Sequence, residues 1–457
     1  MINALRELPR YTSAMLGLAI IAVLVGIALY GVIAIPYSEA IRLWRGGEGI
    51  WIETPRNAQP AWVNLFSRSN LPKTIVLDSR NGDFKRIDQI SDSVKSVQIS
   101  LEFDYPYDDF PSELTLFFDA GFSEKAPHVT LFWLTPDGRQ LSLGERSVGP
   151  SERYSVSLDR QLARQLDGQP PEVGLFADPL ASIIEGRTGG AGPSAEATKP
   201  LKGQYSLLVE GLLFEPAATL DVRMVVYGKV HGLAGTDHLR RDITVALYWG
   251  AAVALAFGLL AAVGSSISTL VIAAIGVWYG KWIDASIQRI TELILILPVL
   301  AILIMVGTLY SRSIWLILGI VILLGIFSAS IKVYRAIFLQ VREAPYIEAA
   351  QAYGASNRRI ILLYMVPRVI PVLVPGFVTL IPSFVFLEAS LAILGLGDPV
   401  LPTWGKVLND AQSNGALYKG QYYWVLAPAV LLMFTGLGFA LVGFSLDRIF
   451  NPRLREL

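Results

Sequence analysis

Residues 343–367 read EAPYIEAAQAYGASNRRIILLYMVP. Pro345 suits the first turn of a helix, where its missing N–H costs nothing. Glu348 lies in the same N-terminal region, where the helix dipole favours a carboxylate. Ala350 and Gly354 are four residues apart and leave one face nearly bare, so that another backbone can come close. Gly354 suits a left-handed helix stop, and Ser356 or Asn357 can cap the helix that follows. The spacing predicts a short helix, a sharp turn and a second helix entering an apolar stretch at Pro367, an element that offers a small-residue face to a partner. On these residues alone, a connecting loop with helical content is an equal alternative.

The surrounding composition explains why a membrane is expected. Of 457 residues, 53% are hydrophobic and 17% charged, against about 25% charged in an ordinary soluble domain. The shortfall is concentrated in 12–36 and most of 243–446, while 40–242 has soluble composition. That excludes a disordered chain, a disulfide-stapled scaffold and a single globular domain. With 38 basic and 38 acidic side chains nothing points to a nucleic-acid partner. With no cysteine, thiol catalysis and cysteine-ligated metals are excluded. The chain has no Walker A loop, HExxH or GxSxG, so no catalytic, cofactor-binding or metal residue is expected in it.

A helix needs about 20 apolar residues to cross a bilayer. Six stretches qualify, near 13–35, 254–278, 290–309, 314–333, 367–391 and 424–445. The first reads as a retained anchor rather than a signal peptide, because it is too long for an h-region and runs into Pro36. With the N-terminus inside, the inner segments carry Arg6, Arg10, Lys281, Arg289, Lys332, Arg335, Arg342, Arg358, Arg359, Arg368, Arg448, Arg453 and Arg455. The short outer loops carry Arg312, Lys406 and Lys419. The positive-inside rule then puts both termini in the cytoplasm and residues 40–242 outside.

In 40–242, VKSVQISLEFDY, SELTLFFDA and HVTLFWLTP alternate apolar and polar residues, and Asp137-Gly138 is a hairpin turn. RQLSLGERS, YSVSL (154–158), 203–214 and 220–230 continue the pattern, which suggests a β-sandwich. Residues 187–198 read as a flexible loop. His128 stands alone and is read as a structural or surface residue. The sandwich is read as a docking or spacer module.

Glu348, Ala349, Ala350 and Gly354, followed at a set distance by Pro367, resemble the EAA loop of permeases in binding-protein-dependent ABC importers. Tyr364 and Val366 depart from the usual Ile and Leu. HGLAGTDHLRRD (231–242) resembles the segment before the second span in the dipeptide/oligopeptide/nickel branch. Gly235, Thr236, Asp237, Arg241 and Asp242 match; Gly232 replaces a proline, Arg240 replaces a glycine, and one residue is inserted before Gly235. Residues 277–298 (with Gly280, Asp284, Arg289 and Pro298), EASLAILGLG with PTWG (388–405) and the tail LDRIFNPRLRE, with Asn451 for an aspartate, look like further segments of that branch.

The resemblance covers about 1–36 and 231–457 and leaves 40–230 unexplained. It implies a mainly α type I permease of six transmembrane helices in a bacterial or archaeal cytoplasmic membrane, with a β-sandwich-like domain inserted between helices 1 and 2. The expected parts are 1–39, an external insert 40–230, and a core 231–457 with its coupling loop at 343–367. It implies half of a pathway for peptides or similar small solutes. A second permease subunit would complete it, two cytoplasmic ATPase subunits would bind the ATP and Mg, an external binding protein would deliver solute, and membrane lipid would surround it. The Glu348–Gly354 helix would couple to an ATPase cleft. Arg358 and Arg359 would pair with acidic groups there or serve as positive-inside anchors.

Glu292 and Glu388, ionisable groups in spans, would line the pathway or make structural pairs. Gly395 and Gly397 would allow a tight outer turn and Trp404 would lie at the interface. Asp237 and Asp242 would cap an interfacial helix over Leu239–Trp249. Two other readings are an export or lipoprotein-release permease, which would not predict the glycine-broken loop, and a membrane-anchored receptor whose sandwich binds a ligand.

Overall fold

The structure, a computed structural model, describes residues 8–82, 84–91, 94–178 and 199–450. The loop read at 187–198, Arg6 and the tail residues Asn451, Arg453 and Arg455 lie outside the described residues. The chain forms two compact units, Met1–Gly46 with Ile243–Leu457, and Gly47–Asp242. The limits drawn in the sequence at 39/40 and 230/231 therefore fall at 46/47 and 242/243, and segment 231–242 belongs with the sheets.

The first unit is helical: α1 (Thr12–Ala34), α2 (Tyr37–Arg45), α3 (Ile243–Tyr279), α4 (Lys281–Ile296), α5 (Val299–Leu309), α6 (Ile314–Ile326), α7 (Ser330–Arg342), α8 (Pro345–Ala352), α9 (Val366–Leu391), α10 (Trp404–Ser413) and α11 (Tyr422–Phe450). Thr12–Ala34, Ile243–Tyr279, Asn357–Leu396 and Tyr422–Phe450 are each long and apolar enough to cross a membrane; counting α4–α5 and α6–α7 as bent spans gives up to six among the described residues. The 37 residues of α3 reach about 55 Å and pack against α1, α6, α7 and α9. α1 and α11 approach closely because a Cβ on Gly17 would stand 2.7 Å from the Gly438 carbonyl oxygen, the small-residue contact that replaces a hydrophobic drive in lipid.

The stretches 290–309 and 314–333, read as unbroken, are both bent. The α4–α5 pair turns through 79° and the α6–α7 pair through 44°. At the first bend, Leu297 takes the extended backbone that Pro298 imposes on its predecessor. At the second, Phe327 leaves helical geometry, and the Ile326 carbonyl accepts a hydrogen bond from Thr269 Oγ1 of α3 at 2.8 Å.

The second unit is a sandwich of antiparallel sheets. Its strands are β1 (Ile75–Asp78), β2 (Lys85–Gln89), β3 (Lys95–Tyr105), β4 (Glu113–Gly121), β5 (His128–Leu134), β6 (Gln140–Ser147), β7 (Ser151–Ser155), β8 (Gly203–Leu213) and β9 (Thr219–Tyr227). The sheet orders are β1-β9-β4-β7 and β2-β3-β8-β5-β6. Alternation sets the register: Val97, Ile99, Leu101 and Phe103 are buried and lie opposite Gly211, Val209, Leu207 and Tyr205. The Phe103, Trp133 and Tyr205 rings stand 5.7 to 5.8 Å apart in the core. Trp133 donates its indole N–H to the Leu175 carbonyl at 3.2 Å.

The 135–139 turn closes with Gly138 at φ +85°. β1 and β2 escaped the sequence reading because they are short edge strands, and β2 buries almost nothing. Of YSVSL, the first two residues end β7 and Val156–Leu158 form a 3₁₀ turn. His128 is partly exposed with Glu145 3.6 Å away, which fits a surface residue.

Trp133→Ala should cost the sandwich about 3–5 kcal/mol, seen as an earlier unfolding transition of the purified protein. Leu158→Ala, at a position 80% exposed, should leave that transition in place.

Candidate functional site

Helix α8 begins with Pro345 in its first turn and presents two unlike faces. Ile347 and Ala350 are buried in a core shared with Leu270, Phe338 and Ile361. Glu348, Ala349, Ala352 and Tyr353 are exposed, Tyr353 by 92%. The small-residue face expected from Ala350 and Gly354 is thus not presented outward. With 3.6 residues per turn, position 350 shares the inward side of 347, and Gly354 lies past the helix end. Gly354 instead makes the stop, at φ +78°. Its N–H donates to the Gln351 carbonyl at 2.9 Å and the Ala355 N–H to the Ala350 carbonyl at 3.0 Å, the bond pair of a Schellman motif.

Ser356 Oγ then accepts the Arg359 N–H at 3.4 Å, and Arg358 and Arg359 are exposed. The second helix starts after its Ser356 cap and leads on through Pro367, as the sequence predicts. Asn357–Arg359, a π turn at Ile360–Met365 and α9 run on without a break, and the wide turn falls just before the proline that has no N–H for the ladder.

Ion pairs and carbonyl contacts anchor this element. Arg335 of α7 grips Asp284 of α4, Nη2 to Oδ2 at 2.5 Å and Nε to Oδ1 at 2.8 Å. Arg342 Nη1 donates to the Val277 carbonyl at the end of α3, at 2.9 Å. Arg368 lies over the Tyr346 ring, 5.2 Å from its centroid. Gly280 and Lys281, both at positive φ, make the sharp corner between α3 and α4.

Glu292 and Glu388 have different surroundings. Glu292 is exposed on α4 and takes a hydrogen bond from Arg289 at 3.0 Å. Glu388 is buried on α9 beside the Thr403 hydroxyl. Gly395 turns at φ +83°, whereas Gly397 is extended and is small because a Cβ would meet that of Ala392 at 2.9 Å. Trp404 is not an interfacial anchor: it is fully buried, donates to the Leu247 carbonyl at 2.9 Å and fills the space over Gly250.

Asp398 went unread. It accepts the Ile314 N–H at 3.1 Å and the Val400 N–H at 2.8 Å, joining this turn to the start of α6. A Gly-Asp-Pro tripeptide was its local signal; the partner helix was not visible.

Segment 231–242 forms a clasp within the sandwich unit, and the helix that follows it starts at Ile243, directly after Asp242, and not at Leu239. Thr236 Oγ1 donates to the Pro55 carbonyl at 2.7 Å and accepts the Ala58 N–H at 2.9 Å. Asp237 accepts the N–H groups of Leu239 and Arg241, each at 2.9 Å, and pairs with the Arg241 side chain at 2.6 Å, both side chains being buried. Asp242 lies 3.9 Å from His231, whose burial holds its imidazole below the ordinary range against the pull of that carboxylate. Arg240 sits at φ +65°, where glycine is favoured. Its guanidinium offsets the strain through the Thr54 carbonyl at 2.8 Å, Glu113, and the Tyr227 ring at 4.2 Å.

Residues 254–456 match the family model described as binding-protein-dependent transport system inner membrane component. The dipeptide transport system permease protein DppC of Alkalihalophilus pseudofirmus is 32% identical over 229 residues, covering 49% of this chain and 72% of that protein. A putative peptide transport system permease protein of Brucella suis is 32% identical over 250 residues, 52% of this chain and 79% of its own. DppC of Bacillus subtilis is 26% identical over 223 residues, 49% and 69% respectively.

Asp237→Ala, which removes the buried carboxylate paired with Arg241, should destabilise the sandwich by about 3–5 kcal/mol. Asp237→Asn should cost less, because its amide oxygen can still accept the Leu239 and Arg241 N–H groups. Unfolding curves of the two variants, side by side, check the order.

Proposed function

Because the chain belongs to the family of binding-protein-dependent transport system inner membrane components, and so is a transmembrane permease of an ABC importer, we propose that it forms half of the translocation pathway for peptides or similar small solutes. The solute class rests on what its relatives are named for. The chain is a transport subunit and not itself an enzyme; in this reading two cytoplasmic ATPase subunits bind the ATP and Mg. A second permease subunit completes the pathway, an external binding protein delivers solute, and lipid surrounds the spans.

The observation that carries the coupling assignment is the two-faced helix α8. Its inner face is packed into the helical core, while Glu348, Ala349 and Tyr353 stand out in solvent. In this reading the exposed face seats in an ATPase cleft, and Ala350 and Gly354 shape the helix and its stop. Arg358 and Arg359 pair with acidic groups beside that cleft. Closure of the ATPase dimer then moves α8 together with the helices it is packed on, as a rigid body. Glu292, exposed on α4, is assigned to the pathway, and Glu388, held against Thr403, to structure.

Counting each bent pair as one span gives six, with both termini cytoplasmic and the sandwich outside, in keeping with the positive-inside bias. The sandwich then serves as a docking module on the outer face of a bacterial or archaeal cytoplasmic membrane.

The tagged chain, purified from its native membrane, should bring ATPase subunits with it; purification without any overturns the importer assembly. Gly354→Arg adds about 1–2 kcal/mol of left-handed strain and a long side chain at an open turn. It should abolish solute-stimulated ATP hydrolysis while membrane insertion stays intact, and normal transport would remove the coupling assignment.

Orientation has its own test, made simple by the absence of native cysteine. A membrane-impermeant maleimide should label Asp88→Cys in intact cells and Asn357→Cys only after permeabilisation. The reverse result inverts the topology.

A further inference from the structure

Where β4 begins and β7 ends, beside the short Pro171–Gly174 helix, the sandwich holds a cavity of about 170 Å³, well above the roughly 15 Å³ that one water needs. Its walls carry both signs of charge, Arg56 and Arg153 with Glu113 and Glu172, and the hydroxyls of Thr115 and Ser155, which pair across the β4–β7 register.

Two of these charges are committed: Glu113 pairs with Arg240, and Arg56 with Glu48. The other two are poorly matched. Arg153 stands 3.9 Å from the other Glu48 oxygen and keeps 38% of its side chain exposed. Glu172 meets the Ser157 hydroxyl, yet its Oε2 is buried and has no hydrogen-bond partner among the described residues. Burial raises its proton affinity, and the neighbouring Glu113 carboxylate adds to that. A buried acceptor without a donor is costly, and a guanidinium with spare N–H groups is suited to grip a carboxylate in bidentate fashion.

We propose that this pocket binds a small zwitterion, its ammonium group received by Glu172 and its carboxylate by Arg153. A ligand with one charge would leave one of the two groups unmatched, so discrimination against it follows from the same walls. The site lies wholly within the sandwich, outside the residues that match the permease family, and does not rest on the transport reading.

The test is calorimetric titration of the full chain in lipid nanodiscs with 4-aminobutyrate and alanyl-alanine, against butyrate and butylammonium as single-charge controls. At least one zwitterion should bind, and each control should bind at least about tenfold more weakly. Glu172→Gln and Arg153→Met should each weaken zwitterion binding by about tenfold or more without lowering the melting temperature. If Glu172→Gln unfolds, Arg153→Met, on an edge strand, decides alone. No heat from either zwitterion up to about 10 mM, butyrate binding as tightly as the zwitterions, or binding untouched by the variants would each overturn the proposal.

Discussion

In a bilayer core no water is available to backbone N–H and C=O groups, so every group freed where a helix breaks must find a partner inside the protein. This chain breaks its apolar helices repeatedly, at Pro298, Phe327 and Gly395, and widens one into a π turn at Ile360–Met365. The unbroken α3 compensates at the Phe327 break and anchors two neighbouring segments. Its Thr269 takes up the Ile326 carbonyl, and its Leu247 carbonyl receives the Trp404 indole. Its Trp249 donates to the Ile35 carbonyl, 3.1 Å away past the end of α1. A helix of 37 residues with no proline inside it can take this role; α9, with three prolines inside, cannot.

The last turns of α3 also support the candidate coupling element. Arg342 reaches the Val277 carbonyl, Arg335 ties α7 to Asp284, and Ile347 and Ala350 pack into the same core. Cations that served as topology markers in the sequence therefore also hold structure. A basic residue near a span end need not be only a solvated anchor, since its long side chain can reach a carbonyl or carboxylate one helix away.

The sandwich unit solves a different problem. It has no cysteine to tie its ends, and it ties residues 54–58 to 236–241 through Thr236 and Arg240 instead. The buried Asp237–Arg241 pair holds the turn between those contacts. Such groups are costly to bury and more costly to leave unpaired, which makes the clasp specific in its register. Arg240 shows the trade at one residue: it accepts a backbone region that favours glycine and gains a carboxylate, a carbonyl and an aromatic face.

Composition and periodicity alone determined that the chain has a membrane part and a β part, that 94–105 and 203–214 read as strands, and that Gly354 stops a helix in the left-handed region. Each of these follows from local chemistry: apolar length, alternation, and the one residue without a Cβ. What only the tertiary structure decided concerns partners distant in sequence. It put Ala350 on the buried side of α8, took Trp404 out of the interface and into the core over Gly250, and assigned Asp237 to a clasp. It also bent two apolar stretches that read as straight, and it gathered Arg56, Glu113, Arg153 and Glu172 around one cavity. A side chain's neighbours across a helix packing or a sheet register lie tens to hundreds of residues away, and no local pattern encodes which of them it meets.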